Sequence, residues 1–201
     1  NRFLLEPLVR RVIGLVSFGP VVDLYAGVGL FGLSLAAAGG EGITLVEGDP
    51  TSGIDLKANA EPFGKRVRVD RRSVETFLRT AGSPCGTHGP RDTGADDVGE
   101  AATFVIDPPR TGMSKEALSG VVRRRPARIV YVSCDIATLA RDTRTLLDAG
   151  YELGSVTGMD LFPNTAHVET VVSFERSNQT SGTNHTVRSR SVTSSEEPGS
   201  P

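Results

Sequence analysis

The sequence predicts an α/β fold built on a doubly wound, mostly parallel, seven-stranded Rossmann-like sheet with an antiparallel edge hairpin. Three features carry that reading. Short apolar runs alternate with helical patterns from residue 20 to residue 149, the order of repeated βαβ units. A glycine-rich turn, Gly27-Val28-Gly29-Leu30-Phe31-Gly32, joins the first of these runs to the helix after it. The last two apolar runs, 151–159 and 167–175, have no helix between them, so they pair as a hairpin at one edge.

Residues 3–16, FLLEPLVRRVIGLV, place Leu4, Leu5, Leu8, Val9, Val12 and Ile13 at helical spacing, and Pro7 is tolerated in the first turns. Arg10 and Arg11 fall on the polar face as solvated charges. Residues 20–40 read as strand, glycine turn and helix, and GITLVEGD, 42–49, as a second strand ending in acid. A short helix over 51–60, a third strand from Arg66 to Asp70 and a helix from Ser73 to Thr80 follow. Residues 81–101 then lose apolar periodicity and fill with Gly, Pro and Asp, the composition of a flexible surface loop. ATFVID, 102–107, makes a fourth strand, and a helix from Ser114 to Val122 runs into Arg123-Arg124-Arg125. A fifth strand through Ile129-Val130-Tyr131-Val132 ends in Ser133-Cys134, and the helix over 135–149 closes at Gly150. From Ser177 onward the chain is too polar to fold alone, so one domain over 1–176 and a disordered tail over 177–201 are expected.

The 201 residues carry a formal net charge of -2, so no global basic field marks a nucleic-acid partner. Local basic runs, Lys65-Arg66-Val67-Arg68, Arg71-Arg72 and Arg123-Arg124-Arg125, either track phosphates or form solvated faces. Two cysteines, Cys85 and Cys134, make no disulfide framework, and a reducing, cytoplasmic setting is expected. Cys85 and His88 are half a metal site at best, and no metal is expected. No stretch approaches the ~18 apolar residues of a membrane span, no signal peptide opens the chain, and a monomer is expected. The chain begins at Asn1 inside a helical pattern, which suggests a piece of a longer protein.

At the glycine turn, Gly27 and Gly29 allow backbone to approach a ligand closely, and Glu47, twenty residues after Gly27, is placed to accept bonds from ribose hydroxyls. A nicotinamide dinucleotide and S-adenosylmethionine both fit that pattern. Asp23 and Tyr25, just ahead of the glycines, suit the second better, because a carboxylate attracts an ammonium or sulfonium and repels a pyrophosphate.

Three further groups fall at strand ends. Asp107-Pro108-Pro109-Arg110 leaves the fourth strand in extended form, and Arg110 suits a phosphate or an anionic oxygen of a substrate. Cys134 stands between a strand end and a helix N-terminus, where a thiolate is favoured, although a lone cysteine is more often core filler. His167-Val168-Glu169 opens the final strand, with His167, Glu169, Val171 and Ser173 on one face. Glu169 offers a base or a polar residue on a wet edge, and His167 reads as structural.

DLYAGVGLFG, DPPRTGM, YVSCDIATLARD and FPNTAHVETVV, in this order and spacing, resemble the RNA uracil-5-methyltransferase family over about residues 1–175. The resemblance implies the catalytic domain of such an enzyme, on a class I methyltransferase sheet, with S-adenosylmethionine as cofactor and ribosomal or transfer RNA as partner. It implies Cys134 as nucleophile, Glu169 as the base that removes the carbon-5 proton, and Tyr25, Glu47 and Asp107 as cofactor contacts. The family's upstream β-barrel domain and its iron–sulfur cluster have no counterpart in these residues, and Leu30 stands where some relatives carry asparagine. The alternatives are a nicotinamide-dependent oxidoreductase and a non-catalytic RNA- or cofactor-binding module. A DNA cytosine-5-methyltransferase shares the thiolate logic, but its nucleophile usually follows proline, and here Ser133 precedes Cys134.

Overall fold

A computed structural model describes residues 2–17, 19–80, 102–165 and 167–177. Its elements in chain order are α1 (Leu5–Leu15), β1 (Val21–Leu24), α2 (Leu30–Ala37), β2 (Ile43–Val46), α3 (Pro50–Ala60), β3 (Val67–Asp70) and α4 (Val74–Thr80), then β4 (Thr103–Ile106), α5 (Lys115–Arg124), β5 (Arg128–Ser133), α6 (Ile136–Asp148), β6 (Tyr151–Met159) and β7 (Glu169–Arg176). They form one seven-stranded sheet in the order β3-β2-β1-β4-β5-β7-β6. The first five strands are parallel, and β7 runs antiparallel to both β5 and β6. The expected sheet and its edge hairpin are therefore present, with the last strand inserted between β5 and β6.

Helices cover both faces. Leu8 and Val12 of α1, Phe31 and Ala36 of α2 and Leu56 of α3 pack with Val21, Ile43, Leu45, Val105, Val130 and Val171. On the other face, side chains of α4, α5 and α6 pack with Leu24, Phe104, Ile106, Ile129, Tyr131 and Phe174. Burial from both sides explains why β1, β2 and β4 read as near-continuous apolar runs without alternation. Caps set the helix starts: Asp49 accepts from the Ser52 N–H at 2.8 Å ahead of Pro50, Ser114 from the Ala117 N–H at 3.1 Å, and Asp135 from the Thr138 N–H at 2.9 Å.

Some expectations shift. Arg11 is not a solvated charge: its Nε and Nη2 donate to Thr157 Oγ1 at 3.1 Å and Ser155 Oγ at 2.9 Å, which ties α1 to β6. Arg10 pairs with Glu6 on the exposed face at 2.6 Å. Arg66 closes a 3-10 turn over Glu61–Arg66 rather than opening β3, because it reaches back to the Ala36 carbonyl at 3.0 Å and stacks on Phe63. α5 runs on to Arg124, with Arg125 in the left-handed region as its cap, and Arg123 donates to the Leu78 carbonyl at 3.1 Å. Cations in that last turn complement the helix dipole. Arg72 likewise serves the fold, through Asp70 and Thr80. Structural bonds thus engage several arginines of the basic runs. The readings of 81–101, including Cys85 and His88, and of the tail from 178 onward lie outside the described residues. No helix of the described residues is long and apolar enough to cross a membrane.

α2 lies close against the sheet at Gly32, whose N–H donates to Asp23 Oδ2 at 2.8 Å. A Cβ there would collide with the Leu45 side chain and fall 2.9 Å from Asp23 Oδ2. Gly32→Ala should therefore destabilise the domain by about 1–3 kcal/mol in urea unfolding. An unchanged midpoint would show that α2 can lift without cost.

Candidate active site

The register of the sheet lines up the strand ends. One step beyond the pairs Leu24↔Val46 and Leu24↔Ile106, the chains carry Tyr25, Glu47 and Asp107 in a row. One step beyond the last β5–β7 pair, Ser133↔Thr170, they carry Cys134 and Glu169 on adjacent strands. Adjacent strands lie roughly 4.8 Å apart, so the Cys134 and Glu169 positions are brought close together despite 34 intervening residues. Cys134 is half-buried, and Glu169 is only 7% exposed, which sets aside the wet-edge reading.

The turn that holds Cys134 is closed by its neighbours. The Asp135 N–H donates to Ser133 Oγ at 3.1 Å, and Ser133 Oγ donates to the Asp135 carbonyl at 3.0 Å. The His167 ring donates from Nδ1 to the Cys134 carbonyl at 3.3 Å. His167 thus braces the Cys134 turn from just before β7, in keeping with its structural reading.

At the glycine turn, Gly27 and Gly29 adopt φ of +55° and +101°, which a side chain would strain. The three glycine N–H groups of the pattern are all occupied. Gly27 donates to Glu47 Oε2 at 2.8 Å, Gly29 to the Ala26 carbonyl at 2.8 Å and Gly32 to Asp23 Oδ2 at 2.8 Å. A pyrophosphate cradle needs those donors pointed outward. Here they orient carboxylates instead. Glu47 is held at both oxygens, its Oε1 accepting from the Asp49 N–H at 2.6 Å, and each oxygen keeps a lone pair for a ribose hydroxyl. Tyr25 sits at φ +62°, a conformation that costs a non-glycine residue about 1–3 kcal/mol and occurs mostly at functional sites. Burial, and then the Glu75 and Asp142 carboxylates, push its phenol upward.

The electrostatics of the mouth are acidic. Asp23, 1% exposed, has one oxygen with no hydrogen-bond partner. Burial pushes its carboxyl up to about 7, against the Gly32 hydrogen bond, and the nearby Asp107 and Glu47 add to the rise. Asp107 is pushed up to about 7 by burial and by Glu169, and burial raises Glu169 as well. Such a cluster repels a pyrophosphate and is relieved by a cation, the charge type of a sulfonium or an ammonium. The residues present fit S-adenosylmethionine better than a nicotinamide dinucleotide.

A family model described as tRNA (uracil-5-)-methyltransferase matches residues 16–177. The chain belongs to that family. A Pseudomonas entomophila 23S rRNA (uracil(1939)-C(5))-methyltransferase is 38% identical over 156 residues, 77% of this chain and 31% of that protein. A Thermotoga maritima protein named only as an RNA methyltransferase is 35% identical over 153 residues, 76% of this chain and 31% of that protein. Among solved structures, the Pyrococcus abyssi tRNA (uracil-54, C5)-methyltransferase in complex with S-adenosyl-L-homocysteine aligns with a TM-score of 0.68 and 29% identity, over 87% of this chain and 38% of that one. A Geobacter metallireducens precorrin-6y C5,15-methyltransferase aligns with a TM-score of 0.58 at 16% identity, over 86% of this chain and 89% of that one, which shows the fold alone. The chain spans about a third of the length of these curated relatives.

In this chain the structure gathers Tyr25, Gly27, Glu47, Asp107, Cys134 and Glu169 at one end of the strands. Arg110 is exposed on the loop after β4, with its carbonyl accepting from Thr138 Oγ1 at 3.2 Å. Sequence reasoning placed Asp23 beside the cofactor turn but missed its unpartnered oxygen, and it gave no role to Asp142, the last residue of the YVSCDIATLARD run. Its place in that run was the available signal, and its burial came only from the structure.

The raised carboxyls make stability depend on pH with a definite sign. Burial raises Glu169 in the same direction, and folded Asp23 and Asp107 hold protons that the unfolded chain releases between about pH 4 and pH 7. Their stability contribution is full below that window and is lost as pH rises through 7. The lowered carboxyls Asp49, Asp70, Glu75 and Asp135 act at more acid pH. Urea midpoints should therefore fall from pH 5 to pH 8, and Asp23→Asn should flatten the fall. The same slope in the variant would exclude Asp23 as a major contributor.

Proposed function

We propose that the chain catalyses S-adenosylmethionine-dependent methylation of carbon 5 of a uridine in ribosomal or transfer RNA, through a covalent adduct between Cys134 and carbon 6. The adjacency of Cys134 and Glu169 across the β5–β7 pair carries this reading. Carbon 5 of uracil is a poor nucleophile while the 5,6 double bond is intact. Addition of the Cys134 thiolate forms a sulfur–carbon bond at C6 and moves the π electrons toward O4 as an enolate. S-adenosylmethionine, when bound, supplies the electrophilic methyl group for C5. Glu169 then takes the C5 proton, the C5–H electrons restore the double bond, and the C6–S bond breaks to free the thiolate. A base beside the same ring is needed only at this second stage, and burial raises the basicity of Glu169 for that task.

Tyr25, the turn at Gly27 and Gly29, Glu47 and Asp107 are the residues that would hold the cofactor, with Asp23 setting the negative field beneath it. Arg110, on the loop beside the nucleophile turn, carries the charge that suits the O4 enolate or a flanking phosphate. The chemistry requires the uridine out of its stack, so RNA must present it single-stranded or flipped. The family membership, the acidic cofactor mouth and the occupied glycine amides support this reading over hydride transfer.

The test is adduct trapping. Transfer and ribosomal RNA substituted with 5-fluorouridine blocks the last step, because fluorine does not leave as a cation. Incubation with S-adenosylmethionine should accumulate a protein–RNA adduct that survives denaturing electrophoresis and disappears in Cys134→Ala. An adduct persisting in that variant would overturn the nucleophile assignment. Glu169→Gln should lose roughly 10²- to 10⁴-fold in turnover while adducts with ordinary RNA persist. Unchanged turnover would remove Glu169 from the mechanism.

A further inference from the structure

The loop after β4 cannot satisfy its own backbone. Pro108 and Pro109 supply no N–H, and the described turn within it is the single bond from Gly112 N–H to the Pro109 carbonyl at 2.8 Å. Its partners come from one face of α6, where Thr138, Arg141 and Asp142 stand at positions i, i+3 and i+4. Thr138 Oγ1 donates to the Arg110 carbonyl at 3.2 Å. Arg141 Nη2 donates to the carbonyls of Thr111 at 3.3 Å and Met113 at 3.0 Å. The Met113 N–H donates to Asp142 Oδ2 at 2.9 Å.

Asp142 is 0% exposed, and its remaining capacity is filled by Tyr131 O–H at 2.6 Å and Arg141 Nε at 2.9 Å. The fit leaves no room for a side chain at residue 112. Gly112 has φ +74°, and a Cβ there would lie 2.6 Å from Arg141 Nη2 and 3.0 Å from Asp142 Oδ2. The same helix begins at the Asp135 cap, directly after Cys134, and the Thr138 N–H is the group that cap receives. One helix therefore starts directly after Cys134 and holds the Arg110 loop from its first two turns.

We propose that Thr138, Arg141 and Asp142 are positioning residues, which hold the Arg110 segment at a fixed offset from Cys134 so that both engage one uracil ring. The proposal rests on the methyltransferase reading above. Arg110 reaches substrate through a loop with little internal bonding, so its placement is inherited from α6. Loosening the clamp slows the chemical step without touching the cofactor residues, which hang from β1, β2 and the end of β4.

The test compares Arg141→Lys, which loses the fork to Thr111 and Met113, with Leu146→Ala, a cavity variant in the buried face of α6 away from the loop. Amide exchange of 110–114, kcat with RNA and the Kd for S-adenosylmethionine are measured on the wild type and both variants. Arg141→Lys should speed exchange in 110–114 and lower kcat roughly 10- to 100-fold, with the cofactor Kd within about twofold. Leu146→Ala should lower Tm at least as much and leave kcat near wild type below its melting range. Asp142→Asn, where it folds, should follow Arg141→Lys. Unchanged exchange or unchanged kcat in Arg141→Lys overturns the proposal, as does an equal kcat loss in Leu146→Ala. A wild-type chain that neither methylates RNA nor forms the fluorouridine adduct overturns the methyltransferase reading, and this one with it.

Discussion

The antiparallel pairing of β7 with β5 is the constraint on which the site depends. β5 ends at Ser133, and β7 begins at Glu169, so their register places the last residue of one path beside the first of the other. Had the final strand joined the sheet in parallel, its start would lie at the opposite end, and Glu169 would be a strand length away from Cys134. Insertion between β5 and β6 also buries β7 through Phe174, which explains why Glu169 and Thr170 are desolvated although each is polar. The chemistry at this edge is thus tied to a packing decision made by Val171, Val172 and Phe174.

That decision concentrates negative charge. Asp23, Glu47, Asp107 and Glu169 gather near four strand ends, and burial rather than a cationic partner governs the raised carboxyls of Asp23, Asp107 and Glu169. Asp70, one strand further out, shows the contrast: Arg72 and Arg68 hold its carboxyl low, and it is a structural ion pair. Acids left without such partners are costly in the folded chain, and they persist where a bound cation can use them. Engagement of the glycine amides by Glu47 and Asp23 has the same logic, since the donors that would greet a phosphate are spent on orienting carboxylates.

Helix α6 adds a second level of organisation. Its first turn follows Cys134 directly and is capped through Asp135 and Thr138, and its next residues supply the loop of prolines with the partners it lacks. Tyr131 of β5 bonds to the same Asp142 from below, so strand, helix and loop meet at one buried carboxylate. A junction of this kind ties the exposed Arg110 segment to α6.

Most of the fold was legible in the sequence because its signals are local. Alternating apolar runs, the Gly27–Gly32 turn and the Gly150 stop are each read within a few residues. The strand bounds shortened because the chains turn away once the Glu47 and Asp107 N–H groups have made their last interstrand bonds, and Arg11 and Arg66 changed roles because their partners come from distant segments. The types of the candidate site residues were legible for the same local reason: a cysteine at a strand end, an acid after the second strand, a proline pair before an arginine. What only the tertiary structure decided was their convergence. The strand order, the β5–β7 register, the burial of Glu169, the unpartnered oxygen of Asp23 and the grip of Asp142 on the loop all depend on contacts between segments far apart in the chain, which composition and periodicity do not encode.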